Sequence, residues 1–322
     1  MWWWTFRFIS DGPWYVIVWE MLGLERAVKV VKVLKGSMPP VDRVRLAVLA
    51  EDTVNKSRSH LLAKHGLSLL VETTAAGAST RILMDAGPPP NVALRNATAM
   101  RARVRELDAI VISHGHYDHI GGLLQILKHT SRRVPIVAHP RVFGPKFAFK
   151  PNLQFIGPDF DQSSVKAAGG ILVLARNPVM IAAGVTTSGE IARETDFEKT
   201  EGFWTVEDDR FVEDPMNDEQ ALLINVKDKG LVVVTGCAHS GIMNTLRHAK
   251  KVSGISDVHA VVGGLHLEKA GDTRTKETLE ELSRFDPKVI CPCHCTGSKV
   301  IDHLRELQRD CRRIQTGDTL EL

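Results

Sequence analysis

The chain has 322 residues, 43% of them hydrophobic and 25% charged, with a formal net charge of +3; that balance excludes a disordered or fibrous chain and points to a globular protein with a full core. The length admits one large α/β domain, and the expected division is an N-terminal extension over 1–41 and a single body over 42–322. Basic residues are spread out, with no run of five like charges, which argues against nucleic acid as a partner and leaves a small anionic substrate as the expected one.

At the N-terminus, Met-Trp-Trp-Trp and the apolar stretch from Trp14 to Trp19 are accompanied by Arg7, Asp11, Pro13 and Glu20. A membrane span needs about 20 apolar residues, and a signal peptide needs a basic start, an apolar centre and a small-residue cleavage site. Neither is expected here. The aromatic residues suit an interface, so a homo-oligomer through this segment is an expectation. Residues 24–35 set apolar side chains at 24, 27, 28, 31 and 34 with basic residues between them, a spacing that predicts an amphipathic helix ended by Gly36 and the Pro39-Pro40 pair.

Short apolar runs over 44–49, 67–72 and 81–84 predict a strand meander with Gly77 in its last turn, closed by Asp85-Ala86-Gly87-Pro88. A further strand over 107–112 runs straight into Ser113-His114-Gly115-His116; a helix begins near Asp118, and 134–138 reads as the next strand. Residues 140–180 lack a clear period and are expected to be irregular, with one or two strands. The second half alternates: strands at 221–226, 231–235, 258–262 and 288–291, helices at 242–252, 275–284 and 298–309. Such alternation predicts an α/β layer architecture.

Five cysteines, Cys237, Cys291, Cys293, Cys295 and Cys311, all fall in the last third of the chain. This is no secreted disulfide framework, and it fits a reducing cytoplasm. The i, i+2, i+4 spacing of Cys291, Cys293 and Cys295 suits a buried strand face or turn, so packing is the reading for those thiols.

The sequence Ser113-His-Gly-His-Tyr-Asp-His119 carries the chemistry. Side chains alternate along a strand with period two, so His114 and His116 can point the same way and grip one metal together. Asp118 and His119, where the chain turns into a helix, can face the same cavity from a second direction. That geometry suits a second ion. Imidazole and carboxylate ligands fit Zn, Fe or Mn, and the expectation is one or two divalent ions, Zn first. Closed structural zinc sites are usually richer in Cys, so a functional centre is the reading.

His-x-His-x-Asp-His followed by Gly121-Gly122, the strand before it and the Asp85-Ala86-Gly87 turn resemble the signature of the metallo-β-lactamase superfamily over residues 42–322. The resemblance implies an α/β fold, by some schemes α+β: a four-layer αββα sandwich, here with an N-terminal helical extension. It also implies a metal site at the edge of two sheets, with the remaining ligands on loops of the second half. In Thr235-Gly-Cys-Ala-His-Ser-Gly241, Cys237 stands where many members have a bridging Asp, and His239 is the more natural ligand. His294, after the last strand, resembles the final ligand. His266, in Gly263-Gly-Leu-His-Leu267, ends a strand on the presumed active edge and is expected to face substrate or act in catalysis with Asp118. Glu190 and Arg193 fall where the superfamily often supplies another histidine; with Cys237 they are expected at the substrate, and Glu190 as a substitute ligand remains open.

These motifs, with His65-Gly-Leu-Ser68, are similar to the subgroup labelled 7,8-dihydropterin-6-yl-methyl-4-(β-D-ribofuranosyl)aminobenzene 5′-phosphate synthase. Fold and metal site are shared by many reactions. The main expectation is therefore a metal-dependent hydrolase using activated water on a small phosphate-containing ester. The alternatives are the synthase of that subgroup, joining a pterin diphosphate to an aminobenzene ribofuranosyl phosphate, and a non-enzymatic metal-binding protein.

Overall fold

A computed structural model describes residues 13–22, 25–34, 38–149, 151–307 and 310–322, the first two segments by their backbone. The Met-Trp-Trp-Trp start lies outside the described residues. Strands β1 (Pro13–Leu22) and β2 (Glu25–Leu34) pair antiparallel along their whole length. This corrects the helix expected over 24–35. Val28, Val30, Val31 and Val33 crowd four β-branched side chains into one stretch, which favours extended backbone, and β1 supplies the hydrogen bonds that a helix would make internally.

The meander follows as β3 (Arg43–Ala50), β4 (Ser68–Ala75) and β5 (Ala78–Met84). Ala76 and Gly77 turn the last hairpin with φ of 47° and 79°, the left-handed pair that matches strand twist. Then come α1 (Val92–Ala99), β6 (Ala109–Val111), α2 (Tyr117–Ile120), α3 (Leu123–His129) and β7 (Val134–Ala138). The stretch expected to be irregular holds more order than that: β8 (Phe147–Phe149), β9 (Leu153–Phe155), α4 (Gln162–Ala167), β10 (Gly170–Leu174) and the start of β11 (Val179–Ala182). Pieces of three to six residues are too short to display a period. Short strands β12 (Val185–Thr187), β13 (Phe203–Glu207) and β14 (Arg210–Glu213) lead into the second half. There β15 (Leu222–Val226), β16 (Gly230–Thr235), α5 (Ile242–Ser253) and β17 (Val258–Gly264) follow one another. The chain closes with α6 (Asp272–Phe285), β18 (Val289–Cys293), α7 (Ser298–Leu307) and β19 (Thr319–Glu321).

Among the described residues the strands form three sheets: β18-β17-β16-β15-β12-β11-β1-β2, β10-β7-β6-β5-β4-β3-β19 and β14-β13-β8-β9. The two large sheets face each other across a core of Val44, Leu46, Val48, Ile82 and Val111 from one and Ile224, Val232, Val234 and Val262 from the other. Alternate residues Ala47, Leu49, Leu83 and Ile110 point outward, where α1 and α3 cover them. On the opposite outer face α5, α6 and α7 cover Leu223, Leu231, Val233 and Ile290. Among the described side chains both faces of the two large sheets are thus buried, which is why their strands read as continuous apolar runs. The result is a four-layer αββα sandwich. No helix among the described residues is long and apolar enough to cross a membrane.

Strands β5, β6 and β7 run parallel to one another, as do β16, β17 and β18. The turns that leave β5, β6, β16, β17 and β18 at their carboxyl ends meet at one edge of the sandwich, the usual ligand-binding position in layered α/β folds. The small third sheet adjoins that edge: the Phe203 ring of β13 lies 5.0 Å from the His116 ring.

Candidate metal centre

Beyond β6, two buried carboxylates shape the loop that carries the first histidines. Asp85, just after β5 and at φ 60°, accepts from the Ser113 N–H at 2.7 Å and from the Ser113 hydroxyl at 2.7 Å. Gly236 must lack a side chain, because a Cβ there would meet Ser113 Oγ at 2.1 Å. Two residues on, the Gly115 N–H donates to Asp218 Oδ2 at 2.8 Å. Asp218 is held in turn by Lys146, whose ammonium lies 2.9 Å from both Asp214 and Asp218. All three are buried, so removing any one member leaves uncompensated charge in the interior.

His114, His116 and His239 form the first cluster, their ligand atoms all within 4.8 Å of one another. His114 Nε2 faces His116 Nδ1 at 3.0 Å. Burial pushes all three imidazoles well below the ordinary value of 6.5, so they are neutral. His116 Nε2 and both ring nitrogens of His239 are buried without a hydrogen-bond partner, and each such orphan costs about 1–3 kcal/mol. A divalent ion bonded to imidazole at about 2.0–2.1 Å sets neighbouring ligand nitrogens about 3.4 Å apart in a tetrahedral shell. The cluster therefore fits such an ion. His239 is positioned by Glu219, which accepts from the His239 N–H at 2.6 Å and the Ser240 N–H at 2.5 Å. Burial holds the Glu219 carboxyl above the ordinary range, with those two N–H groups pulling it back.

Asp118, His119 and His294 form the second cluster. His119 Nε2 lies 3.2 Å from His294 Nε2, and Asp118 Oδ2 lies 3.4 Å from His294 Nε2 and 3.7 Å from His119 Nε2. The far nitrogen of each ring rests on a carboxylate: His119 Nδ1 on Asp85 at 2.6 Å and His294 Nδ1 on Asp52 at 2.7 Å. This is the carboxylate–histidine arrangement that aims the other nitrogen at a metal. Burial disfavours the imidazolium of His119, yet Asp85 and Asp118 hold it above its ordinary value. The same contest at His294 is won by Asp118 and Asp52, well above. Burial opposes the Asp118 charge, but His119 and His294 bring its carboxyl well below the usual range. Groups that favour a proton here favour a metal cation for the same electrostatic reason.

Three further groups touch this second cluster. Cys237 Sγ lies 3.2 Å from His119 Nε2. His65 bridges two acids, 3.0 Å from Asp52 and 3.3 Å from Asp118. Glu51 accepts the His294 N–H at 2.8 Å and so fixes the φ 51° backbone of that residue, a left-handed conformation of the kind that collects at functional sites.

A cavity of about 540 Å³ opens onto both clusters, with His116, Asp118, His239 and His294 in its floor. Its walls carry the rings of Tyr117, Phe149, Phe197 and Phe203 and the cations Lys199, Lys269 and Arg274. That size is ordinary for a small-molecule site.

The structure brings His114, His116, Asp118, His119, His239 and His294 together beneath the cavity, with His114 and His119 behind its lining and Cys237 between the two clusters. His266, at φ 49° beyond β17, lines the cavity with its ring 4.1 Å from that of His239. Glu190 and Arg193 stand corrected. Glu190 pairs with His139 and Arg176, each at 3.4 Å, because β12 delivers it beside the end of β7 rather than over the cavity. Arg193 donates to Thr200 Oγ1 at 2.7 Å and to the Pro215 carbonyl. Thr200 donates to the His239 carbonyl at 2.6 Å, so Arg193 supports the His239 loop and is not in the cavity lining. The third imidazole of the first cluster is His239. Asp52, Asp218, Lys146 and Glu219 escaped the reading of the sequence, the one visible signal being the acidic pair Glu51-Asp52 directly after an apolar strand; Cys295, expected to pack, lines the cavity instead.

Comparison with known proteins agrees with this geometry. A family model described as the beta-lactamase superfamily domain matches residues 80–148. The chain is 36% identical over 288 residues to the 7,8-dihydropterin-6-methyl-4-(beta-D-ribofuranosyl)-aminobenzene-5'-phosphate synthase of Methanocaldococcus jannaschii, covering 87% of this chain and 97% of the relative. It is 31% identical to an uncharacterized protein of the same organism, MJ0448, covering 81% and 94%. Among solved structures, Tm1679, a metal-dependent hydrolase of the beta-lactamase superfamily, matches with a TM-score of 0.72 at 26% identity, covering 87% of this chain and 99% of that one.

Proposed function

The chain belongs to the metallo-β-lactamase superfamily, in the family of the M. jannaschii synthase, and on that premise we propose that it is a metal-dependent transferase joining a pterin diphosphate to 4-(β-D-ribofuranosyl)aminobenzene 5′-phosphate. The observation that carries this reading is the 36% identity over 97% of that relative's length, which spans the cavity walls as well as the metal motif. The cavity chemistry supports it. Tyr117, Phe149, Phe197 and Phe203 offer faces on which flat heteroaromatic and aryl rings stack. Lys199, Lys269 and Arg274 offer charge to phosphate groups.

His114, His116 and His239 would hold one divalent ion, and Asp118, His119 and His294, with Cys237 beside them, a second. Such ions supply Lewis-acid stabilisation of negative charge developing on a phosphoryl oxygen. The protein's own groups do the rest. His65 Nε2, against Asp118 at 3.3 Å and backed by Asp52 through its other nitrogen, is placed to pass the arylamine proton outward from the cavity. Asp85 and Asp52 keep the two Nε2 atoms of the second cluster aimed inward. Phe203, tilted against His116 at 5.0 Å and edge-on to His239 at 4.9 Å, shields the first cluster from water on that side, which favours transfer over hydrolysis.

Hydrolysis is the second reading, favoured by the likeness to Tm1679 across 87% of the chain. One assay separates the two. Metal-loaded protein is given the pterin diphosphate with and without the arylamine phosphate, and coupled product and diphosphate are measured by mass spectrometry. Coupled product formed only with both substrates is expected. Diphosphate release at the same rate without the arylamine, and no coupling, would overturn the transferase reading in favour of a hydrolase.

A further inference from the structure

The cysteines near the last strand divide into two kinds. Cys291 and Cys293 lie on β18 and point into the core between the large sheets, where packing explains them. Cys295 follows the strand, leaves that core and faces the cavity. Its sulfur, the sulfur of Cys237 and a ring nitrogen of His266 all lie within 4.8 Å of one another. Nothing in the proposed reaction uses Cys295 or His266.

The pocket for this trio is built into the fold. Gly264 ends β17 against Cys295, and a Cβ there would come within 2.6 Å of Cys295 Sγ and 3.2 Å of the Cys237 Cα; the absent side chain makes room for the sulfur. His266 adopts left-handed backbone, unusual for a residue with a Cβ, and its Nδ1 is buried with no hydrogen-bond partner. Cys295 Sγ makes a long contact, 3.5 Å, as donor to the Cys237 carbonyl, and it also faces the Cys237 sulfur and the His266 ring. Two thiols and an imidazole therefore converge on one point, and one nitrogen of that imidazole is left without a partner.

We propose that Cys237, Cys295 and His266 form a separate thiolate–imidazole site for one zinc-type divalent ion, beside the histidine–aspartate centre and opening into the same cavity. Zinc bonds of about 2.3 Å to sulfur and 2.0–2.1 Å to nitrogen set ligand atoms about 3.4–3.8 Å apart. That spacing falls inside the 4.8 Å within which the ligand atoms of the trio lie. Thiolate and imidazole donors select zinc over harder cations such as Mg²⁺ or Mn²⁺. Each thiol releases its proton to solvent as the ion enters, so M²⁺ with two thiolates is a neutral unit. Neutrality lets the ion sit near the main centre without strong repulsion. Three protein ligands leave a fourth position facing the cavity, the arrangement of zinc sites that bind an outside molecule rather than of closed structural ones.

The site is independent of the proposed reaction and is tested without it. Metal-stripped full-length protein is reloaded with Zn²⁺, dialysed and analysed for metal per chain, alongside Cys295→Ser and His266→Ala. Each variant is expected to hold one ion fewer than the parent, whereas His116→Ala loses ions of the main centre and keeps the thiolate-bound one. With Co²⁺ in place of Zn²⁺, the thiolate-to-cobalt band in the near ultraviolet should persist in His116→Ala and weaken in Cys295→Ser. An unchanged metal count and an unchanged band in Cys295→Ser overturn the proposal. Should that variant fail to fold, the unsubstituted protein decides. Zn²⁺ should slow alkylation of Cys295 by iodoacetamide, mapped by mass spectrometry, and an equal rate with and without Zn²⁺ overturns the site.

Discussion

His119 and His294 each rest a ring nitrogen on a carboxylate, Asp85 at 2.6 Å and Asp52 at 2.7 Å, whereas His116 and His239 bury nitrogens that touch nothing. His114 lies between these cases, since Ser113 Oγ stands 2.9 Å from its Nδ1 and passes on the influence of Asp85. One cluster is thus a neutral set of imidazoles in an apolar setting. The other is an acid-backed set that includes a carboxylate, Asp118. The neutral set suits zinc-like ions, and the oxygen-containing set tolerates harder ones.

The contrast can be broken or sharpened by experiment, beginning with the largest effect. His116→Ala removes a ligand from the neutral set and should lower kcat/KM by about 1,000-fold, since the lost charge stabilisation amounts to several kcal/mol. Steady-state kinetics with metal analysis checks this; full activity in the variant would dismiss the cluster. Lys146→Met leaves Asp214 and Asp218 buried without their cation and should cost about 3–5 kcal/mol of stability, read from chemical denaturation. It should also loosen the Gly115 turn that Asp218 holds. Asp85→Asn should weaken metal binding about 10–100-fold, measured by chelator competition, and should do so for both clusters because Asp85 serves Ser113 and His119 together. Asp52→Asn should weaken the acid-backed cluster alone.

The smallest effect is the most diagnostic. In metal-free protein His239 stays neutral in the fold while its unfolded counterpart titrates near 6.5. The unfolded chain then binds more protons below that pH, so the stability advantage of the parent over His239→Ala should shrink as pH falls below 6.5. His294 is raised instead. Its contribution is fully present below 6.5 and is lost as pH rises through the higher folded value, so the advantage over His294→Ala should grow on acidification. Thermal denaturation from about pH 5 to 8 reads both, and the same sign for the two variants would erase the contrast.

The acid-backed cluster also shows where sequence reading stops. Its members Asp118 and His119 lie in the motif, and His294, 175 residues beyond His119, is expected from the family resemblance, but the contacts of Asp52 and His65, more than 50 residues upstream, are not legible. Glu190 shows the opposite failure: it occupied a suggestive place in the order of motifs, yet β12 carries it to His139 and Arg176. Spacing along a chain predicts side-chain direction within one strand and nothing about which strand end lies opposite.

The sequence by itself determined an α/β layer architecture, because apolar strands alternating with amphipathic helices are a local pattern that physical chemistry reads directly; the four-layer αββα form is what the resemblance of the histidine motif implies. It also determined that His114, His116, Asp118 and His119 leave one strand end together. Tertiary structure alone decided the rest. It made 25–34 a strand, since pairing with β1 outweighs a helical spacing of apolar residues in a Val-rich segment. It separated Cys295 from Cys291 and Cys293, since the chain leaves the sheet after Cys293 and a thiol then faces cavity instead of core. Contacts between strand ends far apart in the chain depend on sheet order, and sheet order is a property of the whole packed molecule.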